Sequence, residues 1–178
     1  MGQYYRPIIV ADNKTSIKAF LYSRDYGNGA KLMEHSWQGN DFVSAFETLI
    51  YKNPQRVVWA GDYADDCKGR KTNLNTRSDN KEKLKLMPTE HLSVRRLRYV
   101  INHNKKQYVD KVRVPKGRWG WKIHPLPLLT AEGNNRGGGD YRQADPNGLI
   151  GSWARDLISV SGNRPKGYTE IEFNLIEE

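Results

Sequence analysis

The chain is short of most residues that would name a chemistry. Its 178 residues include one cysteine, Cys67, and four histidines. A single thiol excludes an internal disulfide and a multi-cysteine zinc site. With no identified base beside it, Cys67 is expected to be inert despite its basic neighbourhood. His35, His91, His103 and His124 stand far apart, with no His-Glu-x-x-His, so zinc is not expected. No apolar run approaches the roughly 18 to 20 residues of a membrane span. The opening MGQYYRPIIVA carries no basic segment followed by a long apolar stretch, so a secretory leader is not expected. N-myristoylation of Gly2 would use Ser or Thr at position six, where this chain has Arg6. Together these absences lead to a cytoplasmic, reducing setting, no membrane partner and no cofactor.

Acid is also scarce in one region. The formal charge is +9, but residues 68 to 122 hold seventeen Lys/Arg against four acids, Asp79, Glu82, Glu90 and Asp110. That segment sums to +13 and the remainder to −4. Segregation of this kind is the footprint of a protein that meets phosphates or an acidic partner, although a solubilising face would look the same.

What is present is aromatic and β-branched. A hydrophobic fraction of 37%, with five Trp and ten Tyr, is enough for one folded domain spanning residues 1 to 178. QYYRPIIV and IKAFLYS flank the turn-like ADNKT and predict a hairpin. KLMEHSW suits a strand or an ordered loop. Phe42, Val43, Phe46, Leu49 and Ile50 line one face of a helix over 41 to 52, with Asn40 as N-cap, Asn53-Pro54 as stop, and Ser44, Glu47 and Thr48 outward. VVWA reads as a central strand. Residues of about 66 to 92 turn polar and basic and predict an insertion or mobile loop.

LRYVI and QYVDKVRV predict a second hairpin, with Leu97, Tyr99 and Ile101 on one face and Arg96 and Arg98 on the other as a basic stripe. WKIHPLPLLTA, with Pro125 and Pro127, reads as an edge strand or extended segment. In YTEIEFNLI, Thr169, Ile171, Phe173 and Leu175 alternate with Glu170, Glu172 and Asn174, the pattern of a half-solvated strand. The sum is an α+β fold, a mainly antiparallel β-sheet with one principal helix packed on it.

Two constellations compete for a site. In VVWAGDYADD, residues Gly61, Asp62, Tyr63, Ala64 and Asp65 resemble the second motif of calcineurin-like metallophosphoesterases, where a carboxylate at a strand's end holds catalytic cations. The resemblance implies Asp12, Asp62, Asp65 and His103 as a metal-dependent phosphoesterase or nuclease set. The sequence departs from it where Lys14 replaces the first motif's histidine and where Asn102-His103 lacks the flanking glycine and acid. The plainer reading is that the aspartates end a strand and pair with basic residues.

The other constellation is cationic. Arg95, Arg96, Arg98, Lys105, Lys106 and Arg118 are candidate phosphate contacts, and Trp119 and Trp121, expected to point the same way on an extended segment, are candidates for base stacking. Arg136, Gly137, Gly138, Gly139 and Arg142 form a glycine loop that could cradle an anion or nucleotide signal, without a P-loop's Gly-Lys-Ser/Thr.

The strings MGQYY, KLMEHSW, VVWAGDYAD, HPLPLLTAEGN and RGGGDYR resemble small accessory proteins of phages and mobile elements of gut bacteria. That resemblance implies a protein that binds nucleic acid, or a nucleoprotein such as a CRISPR effector or other host-defence nuclease, without catalysis.

Overall fold

The structure, a computed structural model, describes residues 2–79, 92–93, 95–117, 119–133, 141, 145 and 147–175. Strand β1 (Tyr5–Val10) turns through Asn13, whose Oδ1 accepts the Thr15 and Ser16 amides, into antiparallel β2 (Ile17–Phe20). On the other side of β1 lies antiparallel β3 (Gln55–Gly61), with Tyr5 opposite Gly61 and Val10 opposite Arg56. The hairpin β4 (Tyr99–Asn102) and β5 (Gln107–Asp110) joins this sheet through β7 (Leu157–Ser161). The short β8 (Thr169–Glu170) adds in parallel to β5, and β6 (Ala131–Glu132) in parallel to β3. The sheet order is β2-β1-β3-β7-β4-β5-β8, an α+β fold dominated by a mostly antiparallel sheet.

Strand β3 divides its length between two neighbours. Gln55 and Arg56 pair with Ile158 and Leu157 of β7, whereas Trp59 and Ala60 pair with Ala131 and Glu132 of β6. Past the fork, β7 bonds instead to the exit of helix α1 (Asp41–Leu49): Val160 N donates to Ile50 O, and Lys52 N to Val160 O. Trp59, Phe46, Leu126, Leu129 and Trp153 belong to the main core around this fork. Helix α1 is capped as expected, Asn40 Oδ1 accepting Val43 N at 3.2 Å, and buries Phe42, Val43 and Phe46 completely. Truncating either phenylalanine to alanine is expected to cost about 3–5 kcal/mol. The helix ends at Leu49 rather than residue 52, because Lys52 takes a positive φ of 52° and turns the chain back to β7.

Three expectations are corrected. Glu47 is not outward but 1% exposed. The apolar 125–129 segment is not extended: α3 (Pro125–Leu129) is a short helix with His124 as N-cap and proline in its first turn, where the missing N–H costs nothing. The segment starting at residue 66 is ordered through 79, because α2 (Leu74–Ser78) inserts Leu74 into a second core with Ile8, Phe20 and Val58. Arg6 clamps α2 to the sheet, reaching Asn75 O, Ser78 Oγ and, at 2.7 Å, Asp79. Residues 80–91 lie outside the described residues.

KLMEHSW is an ordered loop with a single 3-10 turn at Leu32–Glu34. The C-terminal alternation holds over its second half, Phe173 and Leu175 being buried and Glu172 and Asn174 exposed, but is reversed at its start, where Thr169 is exposed and Glu170 half-buried in β8. Among the described residues no helix is long and apolar enough to cross a membrane.

Candidate nucleic-acid interface

The β4–β5 hairpin is covered on both faces. Val100 and Val109 enter the main core, while Tyr99, Ile101 and Tyr108 form a small cluster on the opposite side with Tyr168 packed against it. The two tyrosine rings meet edge to face, 5.8 Å apart at 75°. Over them lie guanidinium groups: Arg98 Cζ is 5.0 Å from the Tyr99 ring and Arg164 Cζ 5.5 Å from the Tyr108 ring.

Two carboxylates orient this layer. Arg98 forks onto Asp110 with bonds of 3.0 and 2.7 Å, the bidentate geometry that suits a planar guanidinium. The Arg98 hydrogen bonds outweigh partial burial and hold the Asp110 carboxyl below the usual carboxylate range. Arg113 Nη1 reaches both oxygens of Glu170 at 3.2 and 3.3 Å, and the Tyr108 hydroxyl donates to the same group at 3.1 Å. Arg95 and Arg96 are exposed in the turn before β4. Gly162 lies so close to that turn that a Cβ on it would stand 2.5 Å from Arg95 O. From Gly162 the connection to β8 continues through exposed Arg164 and Lys166. Five arginines and a lysine therefore lie about a buried tyrosine pair, and the Asp110 and Glu170 carboxylates among them are already engaged.

Other expected contacts are placed differently. Arg96 sits in a turn and Arg98 is paired, so no continuous strand stripe forms; Leu97 enters the main core, away from Tyr99 and Ile101. Lys105 and Lys106 are exposed at the hairpin tip, the far end of strands roughly 13 Å long. Trp119 and Trp121 do not point the same way. Gly120 (φ 85°) closes a tight turn between bridged Lys116 and Lys122, leaving Trp119 72% exposed while Trp121 packs edge-on against Trp37. Arg118, Arg136, Gly137, Gly138, Gly139 and Arg142 lie outside the described residues.

The carboxylates of the metal constellation are not brought together. Because β1 and β3 are antiparallel, Asp12 and Asp62 follow opposite ends of the pair, separated by six rungs, or roughly 20 Å. Asp12 pairs with Arg56 at 3.0 Å. Asp62 extends the β1–β3 ladder, its Oδ1 accepting Tyr4 N at 3.0 Å while its own amide donates to Tyr4 O. Asp65 is exposed. His103 stands at the Arg56 end, where its amide donates to Leu157 O and its ring bonds to Tyr168 Oη and Ser159 Oγ. Among the described residues no group of three or more His, Cys, Asp or Glu side chains could hold a metal ion.

Sequence reasoning missed two buried polar assemblies. Glu47 Oε1 receives Lys111 Nζ at 2.5 Å and His124 Nε2 at 3.1 Å, all three side chains being at most 8% exposed. His124 Nδ1 accepts Leu126 N, so the neutral ring carries its proton on Nε2 and donates it to Glu47. Burial pushes the Glu47 carboxyl up, but Lys111 and His124 outweigh it and hold it below its ordinary value. Burial lowers His124 despite the carboxylate beside it. In the second assembly His35 accepts Trp59 Nε1–H at 2.9 Å and donates from Nδ1 to Gly29 O at 3.1 Å. Burial pushes its pKa down to about 4. Neither assembly is open to a substrate; both tie distant segments together. The one local signal was His124 before Pro125, a helix start.

No protein family, curated protein or solved structure matches this chain.

Proposed function

We propose that the protein is a non-enzymatic binder of nucleic acid, engaging phosphates through Arg95, Arg96, Arg98, Arg113, Arg164 and Lys166 beside the β4–β5 hairpin. The observation that supports this reading is the imbalance among the described residues there: six cations about the β4–β5 hairpin, with Asp110 and Glu170 already engaged. Guanidinium groups already oriented by carboxylates and aromatic rings lose little freedom when a phosphate arrives. We extend the proposal to the setting expected from the sequence strings, a phage-type accessory protein meeting the nucleic acid of a defence nucleoprotein.

The test is a salt titration of binding to single- and double-stranded oligonucleotides. Six neutralised phosphates give a slope of log affinity against log salt of about −4.2 on single strands and about −5.4 on duplex. A flat response, or no binding at low salt, refutes the proposal. The double variant Arg95→Glu/Arg96→Glu is expected to weaken binding to every sequence alike. Pull-down from host lysate with and without nuclease treatment separates bare nucleic acid from a nucleoprotein.

A further inference from the structure

Between β5 and the chain leaving β8 lies a cleft of about 440 Å³. Its origin is a ladder that parts. Ile171 N donates to Tyr108 O at 2.9 Å as the last rung, after which β5 runs into the Lys111–Arg113 turn and residues 171–173 diverge from it. Val109, Val114 and Phe173 supply an apolar wall, Glu170 and Glu172 supply carboxylates, and the largely exposed Arg113 bridges to Glu170. The volume lies within the roughly 300–1,000 Å³ of small-ligand sites.

The cleft shares Asp110, Arg113 and Glu170 with the arginine face, so a strand lying on that face passes its opening. What can enter is decided by charge. A phosphate meets cations outside and carboxylates inside, so the backbone stays on the arginines and the uncharged base is the part that fits. Asp110 is taken by Arg98, and Glu170 by Tyr108 and Arg113. Glu172 is exposed, and among the described residues it has no hydrogen-bond or ion-pair partner.

An ionised carboxylate only accepts hydrogen bonds, through two oxygens side by side. Guanine alone among the bases offers two adjacent donors, N1–H and the N2 amino group, on its Watson–Crick edge. Adenine and cytosine set an acceptor beside their amino group, and thymine and uracil flank one N–H with two carbonyls. We propose that this cleft takes a base splayed from a bound single strand and prefers guanine, with Glu172 as the reading group. The inference rests on the nucleic-acid reading above and names its sequence preference.

Single strands of oligo-T carrying one central guanine, adenine, cytosine, thymine or abasic position, titrated by fluorescence anisotropy, test it. The guanine strand is expected to bind roughly 5- to 100-fold tighter than the abasic strand, as bidentate base contacts do. Glu172→Gln is expected to lower the guanine strand's affinity toward that of the other four. Glu172→Lys, which adds a cation, is expected to tighten the abasic strand while removing the guanine preference. Equal affinity for all five strands in the wild type overturns the base pocket and leaves the arginine face standing, provided Arg95→Glu/Arg96→Glu still weakens binding. A guanine preference unchanged in Glu172→Gln overturns the assignment to this cleft. No binding of any strand at low salt overturns both.

Discussion

Two ion-pair networks in this molecule use the same chemistry and do opposite work. In one, Lys111 and His124 share Glu47 out of reach of water; in the other, the solvent-facing Arg98 and Arg113, 41% and 71% exposed, hold Asp110 and Glu170. Burial is what separates them. Removed from water, a charge without its partner is severely penalised, so the first network commits α1, the turn after β5 and the start of α3 to one arrangement. At Arg113 and Glu170, which solvent reaches, the loss of a partner is screened, whereas the buried Asp110 still needs Arg98.

The sharpest break in the comparison is Glu47→Gln, which leaves Lys111 buried without an anion. Urea denaturation is expected to show a loss of about 3–5 kcal/mol. The double variant Glu47→Leu/Lys111→Met is expected to recover most of it, and a result no better than the single variant would contradict the desolvation account.

Acid is expected to have nearly as large an effect. The unfolded chain protonates His35 below its ordinary pKa of 6.5, whereas the folded protein does so only below about 4. Between those values the unfolded state binds the extra proton, so stability falls as pH falls, by about 3 kcal/mol in total. Burial lowers His103 and His124 as well, which adds the same sign. The low-lying Glu47 carboxyl loses its contribution at still lower pH. Denaturation midpoints measured from pH 7.5 to 4 check this, and His35→Gln is expected to flatten the profile.

Gly61→Ala tests the far end of β3, where a Cβ would meet the Gln3 side chain and lie 2.9 Å from the backbone oxygen of Glu132. A loss of about 1–3 kcal/mol is expected from this overpacking. The smallest effect on stability is expected from Arg113→Ala, 71% exposed in the wild type, with a denaturation midpoint close to wild type. In oligonucleotide binding, however, it is expected to reduce the salt slope by about 1. A large stability loss from it would erase the distinction between the networks.

The sequence made the local order legible. Asn40 followed by the Phe42, Val43, Phe46 spacing specifies α1, and the flanks of ADNKT specify the β1–β2 hairpin, because capping and periodicity act within a few residues. Glu47 was illegible because its partner Lys111 lies 64 positions away and looks like any surface lysine. Asp12 and Asp62 misled because a motif at a strand's end carries no information on whether its neighbour runs parallel or antiparallel. Pro125 and Pro127 argued against a strand ladder, but the same residues fit a helix's first turn, which His124 opens. Of the interface, Arg95, Arg96 and Arg98 were visible as a charge run; Arg113 had been counted only in its total, and Arg164 and Lys166 join them solely through the strand order that lays β7 beside β4.

The fork in the sheet has a mechanical consequence. Along the β3–β7 seam the rungs of Gln55 with Ile158 and Arg56 with Leu157 are continued by Val57 N donating to Asp156 O and Arg155 N donating to Val57 O. A load applied across that seam would bear on this short run of amide bonds, so tearing would begin at its open end, the fork, and leave each half's own hairpin intact.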